Sequence, residues 1–242
     1  MHEEERAAAA WLWEDNQAPE QQIRAEVFAA HLGYPVGRLS FAKRAFDLAL
    51  AGLGILLSSP VWVLLSVLIW VEDPGPILFV KNSVGRGGVN FRQLKFRSMV
   101  RQAERETGPV LAEEGDRRVL RIGRLMRKTA LDELPQLINI LKGEMSFVGP
   151  RPQRTVLVRE YVREMPEYAE RHVVPPGLAG LAQVAGSYYI TPRQKLRFDR
   201  LYVRHASLGF DLRLLAVAFL VVFYLRWRPR WNGRLPRRWL RR

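Results

Sequence analysis

No cysteine occurs in the 242 residues. Disulfides and thiolate metal sites are therefore excluded, and a reducing compartment is permitted. Histidine is scarce, and His2, His31, His172 and His205 stand without metal-ligand spacing. No internal repeat is visible. The first residues are acidic (Glu3, Glu4, Glu5) where a cleavable signal peptide would be basic, and the first apolar segment begins after residue 40. Acidic residues are in deficit overall: 38 Lys and Arg face 24 Asp and Glu, a formal net charge of +14. Such a surplus points to polyanions: nucleic acid, anionic lipid or a phosphorylated substrate.

What is present is a long apolar stretch. Leu48 to Val71 carries no charge and is interrupted by Ser58-Ser59-Pro60. Its length suffices for one crossing, which takes ~20 residues. Pro60 removes a backbone donor and clashes one turn back, so the helix is expected to kink or break there. Each arm then reaches ~16 Å, about half of the hydrocarbon thickness. Ser58 and Ser59 can bond the carbonyls that the break releases. Basic residues flank both sides: Arg38, Lys43 and Arg44 before, and Lys81, Arg86, Arg92, Lys95, Arg97 and Arg101 after. A spanning helix would export one of these sets, against the positive-inside tendency. A re-entrant helix over about 45–71 keeps both on the cytoplasmic side, and this reading is favoured over a span.

Residues 1–40 read as a separate extension of unassigned role. Trp11 and Trp13 suit a membrane interface or packing onto the body. Ile77 to Met99 reads as two strands about the Gly-Arg-Gly-Gly turn at 85–88. Arg101 to Asp116 reads as a polar loop. Arg117 to Lys128 reads as a helix whose Arg117, Arg121, Arg124 and Lys128 form one basic face, suited to docking on anionic headgroups. Leu214 to Leu225 is a short apolar run, fit for an interfacial or buried helix. The tail from Arg226 onward mixes arginines with Trp227, Trp231 and Trp239, as in a headgroup layer.

The chemical centre is Thr129 to Pro152. A helix over about 132–142 is expected, with Asp132 as N-cap, Pro135 in the first turn and Gly143 at the end. Leu134, Leu137, Ile138 and Leu141 would form its core stripe. Asp132 and Glu133 then sit at the positive helix end, where the dipole keeps carboxylates ionised. Ordinary capping explains either residue alone. Their neighbours shift the balance. Arg127 and Lys128 precede them, and Gly149-Pro150-Arg151-Pro152 follows, with prolines restraining an arginine fork that matches phosphate. A carboxylate nucleophile, a divalent metal and an arginine clamp are what phosphoryl transfer needs.

Five blocks in this order carry a resemblance: KRAFDLALAGLGILLSSP, EDPGPILF, KFRSM, LDELPQLINILKGEMSFVGPRP and PGLAGLAQV. Over roughly residues 40–225 the chain resembles the monotopic phosphoglycosyl transferases, bacterial sugar transferases that begin exopolysaccharide, O-antigen and related glycan assembly. The resemblance implies a fold that is α/β but mostly helical, with a broken re-entrant membrane helix, a small β-hairpin and interfacial amphipathic helices. It implies transfer of a sugar 1-phosphate from a UDP-sugar to undecaprenyl phosphate, with release of UMP, at the cytoplasmic face of the bacterial inner membrane. It implies Mg2+ dependence and a covalent phosphosugar-aspartate. Carried over residue by residue, Asp132 is the nucleophile, and Glu133 completes the metal-binding dyad. Arg151, beside Pro150, holds phosphate. Arg127 meets the lipid phosphate, Lys95 and Arg97 are further site candidates, and Ser59-Pro60 is the helix-breaking pair.

The transferase domain would span 41–228, followed by an Arg/Trp-rich tail at 229–242. Anionic lipids are expected partners, and nucleic acid is not. Other glycan-assembly enzymes and a second copy of the chain stay open as partners. Two departures bear on donor preference. Ala179, Leu181, Ala185 and Ser187 replace residues of the family's PGITGWAQVNGR run. Lys81-Asn82-Ser83-Val84-Gly85 stands where Gln-x-Arg-Val-Gly is usual. A non-catalytic scaffold and a membrane-tethered nucleic-acid binder remain the rival readings. A conventional nucleotide-sugar glycosyltransferase is disfavoured because Asp-x-Asp is absent.

Overall fold

The computed structural model describes residues 40–101, 103, 115–185 and 190–223. The N-terminal extension up to residue 39, nearly all of the polar loop after Arg101, Ser187 and the Arg/Trp tail lie outside the described residues. The architecture is mostly helical with a small β component.

Helix α1 (Phe41–Glu72) opens at Ser40, whose hydroxyl accepts from Lys43 N at 3.2 Å. It runs as one element through Pro60, so the expected interruption is a lost hydrogen bond inside a continuous helix, not a gap between two helices. Of the two serines expected to bond a released carbonyl, Ser59 does so, while Ser58 bonds the carbonyl one turn before itself. Leu56 O has no proline N–H to accept from and takes Ser59 Oγ at 2.8 Å instead, while Ser58 Oγ donates to Gly54 O at 2.6 Å. This helix is long and apolar enough to cross a membrane, and only 11% of its most apolar window is buried. Leu56, Leu57, Val63, Val67, Trp70 and Val71 are exposed along it. An apolar face of this extent marks a lipid or protein contact.

The buried stripe of α1 packs on the polar body in two places. Ala51 and Ile55 meet Phe91, Leu137, Ile140 and Met145. Val61, Trp62, Leu65 and Ile69 meet Phe96, Leu120 and Met126, with Trp62 and Phe96 edge to face at 5.4 Å. Both helix ends are also fastened. Near the start, Lys43 Nζ lies 2.6 Å from Asp211 Oδ2, and Asp47 accepts from Ser146 Oγ and Phe147 N. At the other end, the Glu72 carboxylate accepts from the amides of Arg121 and Ile122. It thereby supplies the cap that Leu120 cannot provide for α2 (Arg121–Thr129).

Strands β1 (Leu78–Val84) and β2 (Asn90–Phe96) form the expected antiparallel hairpin, and Gly87 and Gly88 take positive φ in its turn. Helix α3 (Gln136–Lys142) packs on β2 through an unexpected polar contact. Asn139 Oδ1 accepts from Leu94 N and Nδ2 donates to Arg92 O, so the side-chain amide satisfies the strand edge. The expected core stripe is accordingly corrected. Gln136, Leu137, Asn139 and Ile140 are buried, while Leu141 is 36% exposed. At the end of α3, the Arg44 guanidinium donates to Ile140 O and Leu141 O, an orientation that suits the negative helix end.

A second, parallel pair joins β3 (Ser146–Val148) to β4 (Gly177–Ala179). Their backbones approach so closely that a Cβ on Gly177 would lie 2.1 Å from Gly149 N. Helix α4 (Thr155–Glu164), the 3₁₀ segment Pro166–Val173, and helices α5 (Leu181–Ala185), α6 (Pro192–His205) and α7 (Leu208–Phe223) complete the described fold. Tyr202 and Leu214 pack on Val148, so α6 and α7 close the core behind β3.

Candidate active site

Asp132 and Glu133 lie in a single 3₁₀ turn, Leu131–Glu133, between α2 and α3. The N-cap role expected for Asp132 is not observed. Pro135 occupies the cap position of α3 and no side chain caps it. Asp132 is thus free of structural capping duty. The turn is entered through Ala130, which holds φ 60° and is the single non-glycine residue with positive φ among the described residues. That conformation costs an alanine roughly 1 kcal/mol, and it reverses the chain sharply so that the two carboxylates face the hairpin.

Around them the structure gathers Lys95 and Arg151. Lys95 Nζ lies 2.7 Å from Glu133 Oε1 and 3.7 Å from Asp132 Oδ2. Arg151 addresses Glu133 as a fork: Nη1 donates to Oε2 at 3.2 Å and Nη2 donates to Oε1. The two carboxyls respond in opposite directions. Burial pushes Asp132 up, outweighing the pull of Lys95. Burial would also raise Glu133, but Arg151 and Lys95 overcome it and hold that carboxyl well below its ordinary range. Neighbouring acids driven apart in this way are fitted for separate roles.

The other expected residues are placed differently. Arg127 is near enough to favour the charged form of Asp132, but its Nε donates to Ser98 Oγ at 2.9 Å. Arg97 is not brought to the dyad. It donates to Asp73 O and lies 3.4 Å from Asp73 Oδ2, beyond the end of α1. Pro150 is buried in the loop that presents Arg151. Ser59 and Pro60 sit in α1.

Some contributors escaped the sequence reading. Arg171, fully buried against Asp199 at 2.8 Å, donates through Nη2 to Arg151 O at 2.7 Å and so fixes the arginine loop from behind. The chain Ser83 Oγ to Gln93 Oε1, then Gln93 Nε2 to Gln136 Oε1, locks the hairpin to the start of α3 beside the dyad. Lys81 projects from the same hairpin face as Lys95. Burial, with Lys95, Arg151 and Arg154 close by, lowers its pKa to about 7. Strand alternation relates Lys81 to Lys95 only once the hairpin register is known.

Among the described residues no group of three His, Asp or Glu side chains could hold a metal. The dyad does offer hard oxygen donors. Mg2+ commonly takes one or two carboxylates and completes its shell with water and substrate phosphates. Asp132 accepts no hydrogen bond there, whereas both oxygens of Glu133 are engaged.

Comparison with known proteins gives a consistent picture. A family profile described as bacterial sugar transferase matches residues 38–224. A UDP-N-acetylgalactosamine-undecaprenyl-phosphate N-acetylgalactosaminephosphotransferase of Aeromonas hydrophila is 43% identical over 72% of this chain and 41% of its own length. UDP-glucose:undecaprenyl-phosphate glucose-1-phosphate transferases of Caulobacter vibrioides and Escherichia coli are 42% and 38% identical. Each is matched over 75% of this chain, but over 70% of the first protein and 39% of the second. The chain therefore spans about two fifths of two of these relatives and most of the third. A profile match that runs through the apolar helix, the dyad and the arginine loop leaves one conclusion: the chain belongs to the bacterial sugar transferase family.

Proposed function

We propose that this protein transfers a sugar 1-phosphate from a UDP-sugar to undecaprenyl phosphate, releasing UMP and forming the polyprenyl-diphosphate-sugar that starts glycan assembly. The observation that carries this reading is the Asp132–Glu133 turn, with Asp132 uncommitted to capping and Glu133 gripped by Lys95 and Arg151. The names of the relatives agree with it.

In the first step a carboxylate oxygen of Asp132 attacks the β-phosphorus of the nucleotide sugar. The bond from β-phosphorus to the bridging oxygen breaks, and UMP leaves with that oxygen and its electron pair. In the second step a phosphate oxygen of undecaprenyl phosphate attacks the same phosphorus, and the Asp132 carboxylate departs. Arg151 and Lys95 orient Glu133 and face the phosphate oxygens as charge shifts. Arg127, released from Ser98, meets the lipid phosphate. Asp132 and Glu133, with substrate oxygens, would hold Mg2+, which supplies charge neutralisation at phosphate.

The chemistry belongs at the cytoplasmic face of the inner membrane, with α1 re-entrant. Both ends of that helix are bonded to the same polar body, through Lys43 to Asp211 and through Glu72 to the start of α2. A crossing would separate these ends by ~30 Å of hydrocarbon. The exposed apolar residues of α1 and α7, Phe219 among them, would then face lipid. Anionic headgroups would meet the exposed Arg121, Arg124 and Lys128.

The test is UMP release by purified protein given undecaprenyl phosphate, Mg2+ and a panel of UDP-sugars. Release with at least one donor is expected, as is a protein adduct of sugar phosphate when acceptor is withheld. Asp132→Asn should abolish both while leaving folding and membrane association intact. A wild-type chain inactive with every donor would favour a scaffold role.

A further inference from the structure

Beyond the residues given roles so far, the hairpin carries a cation with no assigned task. The register pairs Phe79 with Lys95, Lys81 with Gln93 and Ser83 with Phe91. Alternation puts Lys81 and Ser83 on the face of Lys95 and Gln93. Each neighbour on that face is satisfied from within the protein: Lys95 by Glu133, and Ser83 and Gln93 by one another and by Gln136. Lys81 has no hydrogen-bond or ion-pair partner among the described residues, although it is only partly exposed and lies amid charged groups.

Those groups are mostly cationic. Lys81, Lys95, Arg151 and Arg154 bring four positive side chains, from β1, β2, the arginine loop and the start of α4. Among the described residues, Asp132 and Glu133 bring negative ones. An ammonium group held partly apart from water among other cations is stabilised by an added anion. Among the described residues no carboxylate pairs with Lys81 to supply that anion. An incoming phosphate does.

Resting on the proposed reaction, we infer that Lys81 is a substrate-binding residue whose ammonium group takes a phosphate oxygen of the incoming substrate, completing a cradle with Lys95, Arg151 and Arg154. The ligand chemistry is a phosphate or diphosphate. Its source is either the nucleotide sugar or the polyprenyl phosphate.

Lys81→Gln and Lys81→Arg, each checked for folding by thermal unfolding, separate these sources. Steady-state UMP release is measured while each substrate is varied in turn, and UDP and a short-chain polyprenyl phosphate are titrated directly. Loss of one charge-assisted hydrogen bond corresponds to about a 10- to 100-fold rise in KM or Kd. It is expected in Lys81→Gln, with kcat within about threefold of wild type and substantial recovery in Lys81→Arg. A rise confined to nucleotide sugar and UDP assigns Lys81 to the donor diphosphate. A rise confined to the lipid phosphate assigns it to the acceptor. Unchanged KM and Kd for both in folded Lys81→Gln overturns the inference, even with wild-type turnover intact. If the wild type releases no UMP, the proposed reaction fails, and the direct titrations still decide the role of Lys81 by the same criterion.

Discussion

Arg151 binds Glu133 through two parallel hydrogen bonds, one guanidinium nitrogen to each carboxylate oxygen. The contact fixes the orientation of the dyad relative to the proline-flanked loop, because that loop is itself held by Arg171 from the opposite side. A lysine at position 151 keeps the charge but cannot reproduce a planar fork. Arg151→Lys is therefore expected to lower UMP release about 10- to 100-fold with little change in thermal stability. Activity near wild type would show that charge alone suffices there.

Lys81 gives a pH signature in stability that is separate from activity. Its pKa in the folded chain is lowered to about 7 from an ordinary value near 10.5. Between these values the unfolded chain binds the proton and the folded chain does not, so folding becomes more favourable as pH rises through that window. Below about 7 both states are protonated and the contribution is flat. Wild-type midpoints of unfolding should rise from neutral to alkaline pH more steeply than those of Lys81→Met. Parallel profiles would mean that the lysine is charged and well solvated in the folded protein.

Gly123 lets α2 lie directly on the backbone of Ser98. A Cβ there would sit 2.2 Å from Ser98 O, and the obstacle is main chain that cannot rotate away. Gly123→Ala is expected to destabilise the protein by about 1–3 kcal/mol. It should also reduce activity, because Ser98 holds Arg127. Denaturant unfolding and UMP release measured on the same preparation check both effects.

The absence of native cysteine makes topology directly measurable. Single cysteines placed before Lys43 and after Val71 should both resist an impermeant reagent applied from outside and react after permeabilisation. External labelling of either one would remove the re-entrant arrangement.

The parts legible in the sequence were those with local causes. The hairpin follows from apolar runs around glycines, and the serine repair at Pro60 follows from the missing proline donor. Juxtaposition across elements was less accessible. Lys95 and Arg97 share one motif, yet β2 ends at Phe96 and the chain turns, sending Arg97 to Asp73. Asp132 resembles an N-cap by spacing, but Pro135 takes that position and leaves a 3₁₀ turn before it. The buried Asn139 and Gln136 answer polar groups on β2, which no helical periodicity announces. Lys81 belongs to the site only through its register opposite Gln93.

The Lys43–Asp211 contact imposes an order on biosynthesis. Lys43 leaves the ribosome well before Asp211, which follows only after all the intervening residues have been added. At ~5–20 residues per second this is a wait of many seconds. Until then Asp47, one turn on and 3.9 Å away, is its acidic partner, so the start of the nascent apolar helix lacks its final fastening. Nascent chains halted before α7 should be extractable from membranes under conditions that leave the finished protein embedded.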